Sequence, residues 1–353
     1  MKQRPINVLV ADDSAFMRKI ISDIVKNQQD MVLVSTARNG EDALKKIKLY
    51  NPDVVTLDVE MPELDGLAAL KVIIKEHPLP IIMVSTHTSK GSETTIEALT
   101  EGAVDFVTKP SLLKGEGIEE FSEVLPQKIR NAAGASLPLR HHIIPSSKPL
   151  SDSSKIEKIK AEGRIVRCAV AIGASTGGPK AIEEILRSLP RELPAAVFIT
   201  QHMPPQFTYS LAKRLDQVSS MKVVEAKAGE NIEEGSAYVA RGGYHLITPN
   251  ETTISLSDAP PVQHVRPSVD VMMESIANVF GKAVIGIVLT GMGRDGSEGM
   301  AFIKERGGKT IVQDPSTSVI SSMPQSVITR GLADIVAPLP EIVPVIKRLL
   351  HLS

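Results

Sequence analysis

INVLVADDSAFMRKIISDIVK (residues 6–26) opens as a mostly apolar, β-like run, INVLVA, and after two aspartates becomes a segment whose Phe16, Met17, Ile20, Ile21, Ile24 and Val25 fall on one helical face. A β-like run feeding an amphipathic helix is one βα unit. The unit recurs as MVLVSTA with a helix from about Glu41, DVVTLD (53–58) with a helix from about Leu67, PIIMVST (80–86) with a helix from about Ser92, and VDFVTK (104–109). Five such repeats predict a parallel, doubly wound α/β sheet.

Beyond about residue 125 the period fails. Pro126, Pro138, Pro145, Pro149 and the cluster SSKPLSDSS punctuate a stretch that reads as an interdomain linker over 126–163. From Cys168 the alternation resumes: CAVAIG and a helix, AAVFITQ, VVEA, SAYVA, a hairpin-like HLITPNETTISLS, a helix near 268–280, AVIGIVLTG and a helix, KTIVQ, and a terminal helix. The expected organisation is therefore a first α/β domain over 1–125, the linker, and a larger, doubly wound and mostly parallel α/β domain over 164–353.

Composition narrows the function classes. The 353 residues are 42% hydrophobic and 23% charged, with a formal net charge of −1. Charge is nearly balanced in both halves, tryptophan is absent and aromatics are 3%. Neither a basic nucleic-acid surface nor a base-stacking platform is expected, and no short helix-turn-helix module is evident. No apolar stretch approaches the roughly 20 residues of a membrane span. The run after MKQR is too short for a signal-peptide core, so a cytoplasmic protein without membrane insertion is expected. Cys168, the one cysteine, rules out an intramolecular disulfide and a cysteine-rich metal site.

Two sets of strand-end residues carry chemistry. In the flavodoxin-like order 2-1-3-4-5, the ends of the first and third strands are neighbours at the point where strand order reverses. Asp12, Asp13 and Asp58 then converge in one crevice, with Lys109 at the end of the fifth strand. An acid in such a place also serves as a cap for the following helix. Three together call for a counter-ion, and hard oxygen ligands suit Mg²⁺.

In the second domain, CAVAIGASTGGPKAIEEIL places Gly173, Ser175 and Gly177 in the G-x-S-x-G spacing, a sharp strand-to-helix turn that exposes a serine hydroxyl. A glycine-rich turn of this kind also cradles phosphate at a helix amino terminus, but neither standard nucleotide-loop spacing is present. A serine nucleophile needs a base and the base needs a carboxylate. His202 directly follows the β-like AAVFITQ, while His245 and His264 are alternatives. Asp295 ends AVIGIVLTGMGRDG, where the bland alternative is a turn residue before Gly296. The chain order Ser, His, Asp differs from that of α/β-hydrolases.

These residues also carry two resemblances. VADDSAFMRK, VVTLDVEMPELDG, MVST and DFVTKP resemble the receiver domain of two-component response regulators over about 1–125. That resemblance implies that Asp58 accepts a phosphoryl group from a histidine kinase. It implies also that Asp12 and Asp13 hold Mg²⁺ with Asp58 and the Glu60 carbonyl, and that Ser85, Lys109 and Phe106 read the phosphorylated state. IGASTGGP, QHMPPQFT, VRPSVDVMMESIA, VLTGMGRDG and MPQSVI resemble the catalytic domain of the chemotaxis response-regulator methylesterases over about 165–350. By this resemblance Ser175 is the nucleophile, His202 the base, Asp295 its orienting partner, and the Met292 N–H an oxyanion donor. One departure is STSVISSMP, where Ser318, Ser321 and Ser322 stand at positions that hold a cysteine and an aromatic–glycine pair in many members.

The resemblance implies a phosphorylation-regulated hydrolase that demethylates glutamyl esters on chemoreceptors and deamidates particular receptor glutamines by the same route. The partners implied are chemoreceptors and a chemotaxis histidine kinase, met by a monomer. No cofactor is expected for ester hydrolysis. The competing readings are a transcription regulator, disfavoured by charge, and a non-catalytic adaptor whose serine-centred loop only binds a peptide.

Overall fold

The computed structural model describes residues 4–86, 88–110, 117–135 and 166–352. In the first domain β1 (Ile6–Ala11), α1 (Ala15–Lys26), β2 (Met31–Ala37), α2 (Gly40–Tyr50), β3 (Val54–Asp58), α3 (Gly66–Glu76), β4 (Ile81–Ser85), α4 (Ser89–Glu101), β5 (Asp105–Thr108) and α5 (Ile118–Ala133) follow one another. The strands form one parallel sheet in the order β2-β1-β3-β4-β5, as the sequence predicts. Local chemistry starts the helices. Ser14, Asn39, Asp65 and Thr88 each accept a backbone N–H of the first turn, the kind of cap that contributes about 1 kcal/mol.

Two local expectations change. Phe16 is 57% exposed, whereas Met17, Ile21, Ile24 and Val25 are buried. A helix in contact with one sheet face buries a stripe narrower than the six-residue face counted from the sequence, and Phe16 lies beyond its margin. The last helix also runs past Pro126 to Ala133, beyond the boundary read at 125. Proline removes one helical hydrogen bond, but Phe121, Leu125, Ile129 and Ala132 keep one apolar edge in the core across it. Most of the expected linker, 136–163, lies outside the described residues, as does the expected start of the second domain at 164.

The second domain contains β6 (Ala169–Ala174), α6 (Gly178–Ser188), β7 (Ala196–Gln201), α7 (Phe207–Val218), β8 (Lys222–Glu225), β9 (Ser236–Val239), β10 (His245–Ile247), β11 (Ser255–Ser257), α8 (Val269–Phe280), β12 (Val284–Val288), α9 (Ser297–Glu305), β13 (Lys309–Gln313), α10 (Ser322–Thr329), β14 (Ile335–Ala337) and α11 (Leu339–Leu349). Seven strands form a sheet in the order β14-β13-β12-β6-β7-β9-β8, every pairing parallel. β10 and β11 form the antiparallel hairpin expected from HLITPNETTISLS. No helix among the described residues is long and apolar enough to cross a membrane.

The two domains share a buried apolar cluster that joins Ile73, Ile96 and Phe106 of the first to Ile185, Phe207 and Leu211 of the second. The Phe106 and Phe207 rings lie 4.4 Å apart, an aromatic pair of a kind that adds about 0.5–1.5 kcal/mol to its burial. α4 lies along α7, with the Ser92 and Ser210 hydroxyls 2.8 Å apart in the buried seam and a Lys213–Glu93 ion pair at its exposed edge.

Candidate functional site

In the first domain, β1 and β3 pair with Ala11 opposite Leu57, so the residues that follow leave the sheet side by side. Asp12 and Asp58 are buried and Asp13 is exposed, and the ligand oxygens of all three lie within 4.8 Å of one another. Lys109 Nζ stands 2.9 Å from Asp12 Oδ2 and 2.7 Å from Asp58 Oδ2. Neither of those buried oxygens has an aligned hydrogen bond. Burial, and next the charge of Asp12, push the Asp58 carboxyl up to about 6. Burial also raises Asp12, against the opposing pull of Lys109. Burial works against the Lys109 charge too, but Asp58 and Asp12 together hold that ammonium above its ordinary value. Buried carboxylate oxygens met only by the Lys109 ammonium, beside an exposed third acid, are a donor set that fits a hard divalent cation. Glu60 is exposed and its N–H reaches Asp58 Oδ1 at 3.4 Å.

Ser85 and Phe106 turn away from this pocket. Ser85 Oγ donates to the Gly91 carbonyl in the first turn of α4 and accepts from Thr95. Phe106, 5% exposed, faces Phe207 with the Lys128 ammonium 5.4 Å from its ring centre. Asp105, next to Phe106, accepts from Lys128 Nζ and, across the domain boundary, from the Thr176 hydroxyl at 2.6 Å. Thr176 is the residue after Ser175, so the first domain touches the second beside its candidate nucleophile.

In the second domain the switch point lies at β6, with β12 on one side and β7 on the other. Ala174 pairs with Gln201, which sets Ser175 and His202 at adjacent strand ends, and Asp295 enters from beyond β12. Ser175 occupies the β6–α6 turn, closed by Gly177 at φ 77°, where a side chain would also meet Val319. Gly291 allows the β12 loop to close on this turn, since a Cβ there would overlap Met323 Sδ and stand 2.8 Å from Ser175 Cβ. The turn is pinned by Ser175 N–H donating to the Thr290 carbonyl and Gln201 Nε2 donating to the Ser175 carbonyl.

His202 Nε2 lies 2.7 Å from Asp295 Oδ2, which leaves Nδ1 for another partner. Among the described residues no hydrogen bond joins His202 to the Ser175 hydroxyl. Asp295 is 3% exposed and is held by the amino terminus of α8: Ser268 Oγ and Asp270 N–H donate to Oδ1, and Val269 N–H to Oδ2. Burial alone would raise its carboxyl, but His202 and these N–H groups bring it down to about 2. The other two histidines separate cleanly. His245 is buried, its Nδ1 accepting Ser268 N–H and its Nε2 on the Pro260 carbonyl, which fixes it as a structural group. His264 sits in a turn at φ 66°, outside this constellation.

Met292 is 45% exposed and touches Asn131 at the end of α5. No hydrogen bond of the described residues uses its N–H. The loop that bears it is braced by Ser322, whose hydroxyl donates to the Gly291 carbonyl and accepts from Gly293 N–H. Of the other departing serines, Ser318 is buried with its hydroxyl on the Asp314 carbonyl, and Ser321 precedes α10. Sequence reading did not single out Ser268, Asp270, Thr290 or Gln201. A serine followed by an acid at the start of the apolar VDVMMESIA helix was the one available signal, because such residues cap a helix and point at whatever its amino terminus faces.

Residues 170–346 match the family model described as CheB methylesterase, and residues 8–115 match the response regulator receiver domain. The chain is 44% identical to the protein-glutamate methylesterase/protein-glutamine glutaminase of Symbiobacterium thermophilum, over 98% of this chain and 97% of that protein. It is 45% identical to the protein of the same name from Pyrococcus abyssi, over 96% of this chain and 92% of the relative. Among solved structures, the Thermotoga maritima CheB methylesterase catalytic domain is 40% identical and superposes with a TM-score of 0.50, covering 52% of this chain and 98% of that one.

Proposed function

The chain belongs to the protein-glutamate methylesterase/protein-glutamine glutaminase family, with a receiver domain ahead of the CheB-type catalytic domain, and on that premise we propose that Ser175, His202 and Asp295 carry its hydrolysis. The enzyme is a carboxylic ester hydrolase of chemotactic adaptation, regulated by phosphorylation. The observation that supports the assignment is the His202–Asp295 contact at the strand ends flanking Ser175.

In this reading Asp295, kept ionised, holds the imidazole by Nε2 and stabilises the imidazolium that forms. Nδ1 takes the Ser175 proton as Oγ attacks the glutamyl ester carbonyl, and the Met292 N–H faces the developing oxyanion. The imidazolium returns the proton to the departing methoxy oxygen and methanol leaves. Water then attacks the acyl-serine, giving its proton to His202, and the glutamate carboxylate is released with Ser175 restored. An amide substrate follows the same course with ammonia as the leaving group.

The receiver's Asp58 is the phosphoryl acceptor in this reading, the donor being a chemotaxis histidine kinase and the substrates chemoreceptors. Asp12, Asp13, Asp58 and the Glu60 carbonyl would hold Mg²⁺, which when bound supplies positive charge for phosphoryl oxygens. Ligand carboxylates must be ionised to bind a metal. With Asp58 pushed up to about 6, Mg²⁺ affinity should fall about tenfold per pH unit below that value and level off above it. Calorimetric titration with MgCl₂ between pH 5 and 8 measures this; a flat affinity would remove Asp58 from the ligand set.

Regulation follows from the docked arrangement. Asp105 on Thr176, Phe106 on Phe207 and Asn131 on Met292 place the receiver over the edge of the Ser175 site. Methanol release from methylated receptor membranes tests the whole reading. Stimulation by a small phosphodonor with Mg²⁺ supports it, whereas no release with or without the phosphodonor favours the peptide-binding adaptor.

A further inference from the structure

We propose that Asp270 is a positioning residue of the hydrolytic site, a second buried carboxylate that locks the Asp295 loop to α8 and sets negative charge behind the His202–Asp295 pair. The inference rests on the assignment of His202 as the base.

Its ground is a reciprocal clamp. The amino terminus of α8 holds Asp295 through Ser268 Oγ, Val269 N–H and Asp270 N–H. Asp270 in return holds the amino terminus of α9, its Oδ1 accepting Gly296 N–H and Gly299 N–H, each at 2.8 Å. Gly296 N–H is shared between the two carboxylates, reaching Asp295 Oδ1 at 3.1 Å. The remaining oxygen, Asp270 Oδ2, accepts from Gln263 Nε2 at 2.7 Å. Each carboxylate thus fixes the backbone that carries the other, and both are nearly sealed from solvent, at 7% and 3% exposure.

The charges around Asp270 leave few alternatives. The β12–α9 loop contributes Asp295 and, through it, His202 from the β7–α7 loop. His245 of β10 meets Ser268 N–H through Nδ1 and the Pro260 carbonyl through Nε2, so both its ring nitrogens are already engaged. Gln263 from the 262–265 turn is neutral. On α9, Glu298 turns to Arg330, and no lysine or arginine pairs with Asp270 among the described residues. Burial, then the charge of Asp295, raise the Asp270 carboxyl above its ordinary value, but Asp270 accepts three hydrogen bonds and donates none, the pattern of an ionised carboxylate. His202, hydrogen-bonded to Asp295, relieves the crowding of the two carboxylates when it becomes cationic. A negative charge behind Asp295 therefore favours the imidazolium over the neutral ring.

Asp270→Asn removes the charge and keeps the shape. The amide oxygen still accepts Gly296 and Gly299, and the amide NH₂ donates to Gln263 once that side chain rotates. The full-length Ser175→Ala protein, with and without Asp270→Asn, is titrated by NMR through the His202 ring signals. The midpoint should move down by about one pH unit. In the active enzyme the acid limb of kcat/KM should move to lower pH by the same amount, with KM for methylated receptors unchanged and plateau kcat reduced by less than about tenfold. Asp270→Ala, which also deprives Gly296 and Gly299 of their acceptor, should lower kcat further at unchanged KM. An Asn variant that melts at the parental temperature and leaves the His202 midpoint in place overturns the proposal. A midpoint that moves while the kinetic limb stays still would keep Asp270's influence on the imidazole and instead remove His202 from the role of base.

Discussion

Ser175→Ala should abolish ester hydrolysis, lowering kcat by about 10⁴ to 10⁶ while leaving the protein folded. That loss corresponds to about 5 to 8 kcal/mol of transition-state stabilisation at 1.36 kcal/mol per decade. The fold should not notice, because the Ser175 hydroxyl makes no hydrogen bond among the described residues, and the turn is held instead by its backbone on Thr290 and by Gln201. Methanol release, thermal unfolding and receptor co-sedimentation, measured on the same preparation, separate the readings. Lost turnover with retained receptor binding is the expected result. Turnover above about one-hundredth of the parent would remove Ser175 from the role of nucleophile, and loss of receptor binding in step with turnover would make Ser175 a substrate-binding group instead.

The second large effect is regulatory. Asp58→Asn should lose phosphodonor stimulation completely, with unstimulated methanol release within about twofold of the parent. Phosphorylation can act only by preferring one domain arrangement over another, and tenfold stimulation requires a preference of about 1.4 kcal/mol. Contacts of that size are present at the boundary: the Phe106–Phe207 pair, the Asp105–Thr176 hydrogen bond and the buried Ser92–Ser210 seam. Ser210→Leu, which places a bulky group in that seam between α4 and α7, should mimic the phosphorylated state by raising unstimulated release and leaving the phosphodonor little to add. Full stimulation of Asp58→Asn would place the phosphoryl group elsewhere, and an inert Ser210→Leu would show that the docked arrangement does not restrict access.

Much of the site was legible because its residues stand where strands stop. Asp12, Asp58, Ser175, His202 and Asp295 each follow a short β-like run, and parallel strands joined by right-handed crossovers bring such ends to one edge of the sheet. The choice among the three histidines was less legible, because His202 and His245 both adjoin β-like runs. What divides them is that His245 has both ring nitrogens satisfied by Ser268 and Pro260, whereas among the described residues His202 is bound on one side only.

Sequence alone determined most of the elements, though not α7, α10 or β14, together with their order and the chemistry at their ends, since hydrophobic period, capping residues and glycine-rich turns act over a few residues. Tertiary structure alone decided the rest: that Phe16 stays in solvent while Phe106 turns inward, that α5 runs on past Pro126, that Asp105 grips Thr176, and that Asp270 and Asp295 clamp each other's helices. The reason is the range of the forces involved. Which face of an element is buried, and which distant carboxylate finishes a hydrogen-bond network, depends on surfaces brought together from positions tens or hundreds of residues apart, and no local pattern records that meeting.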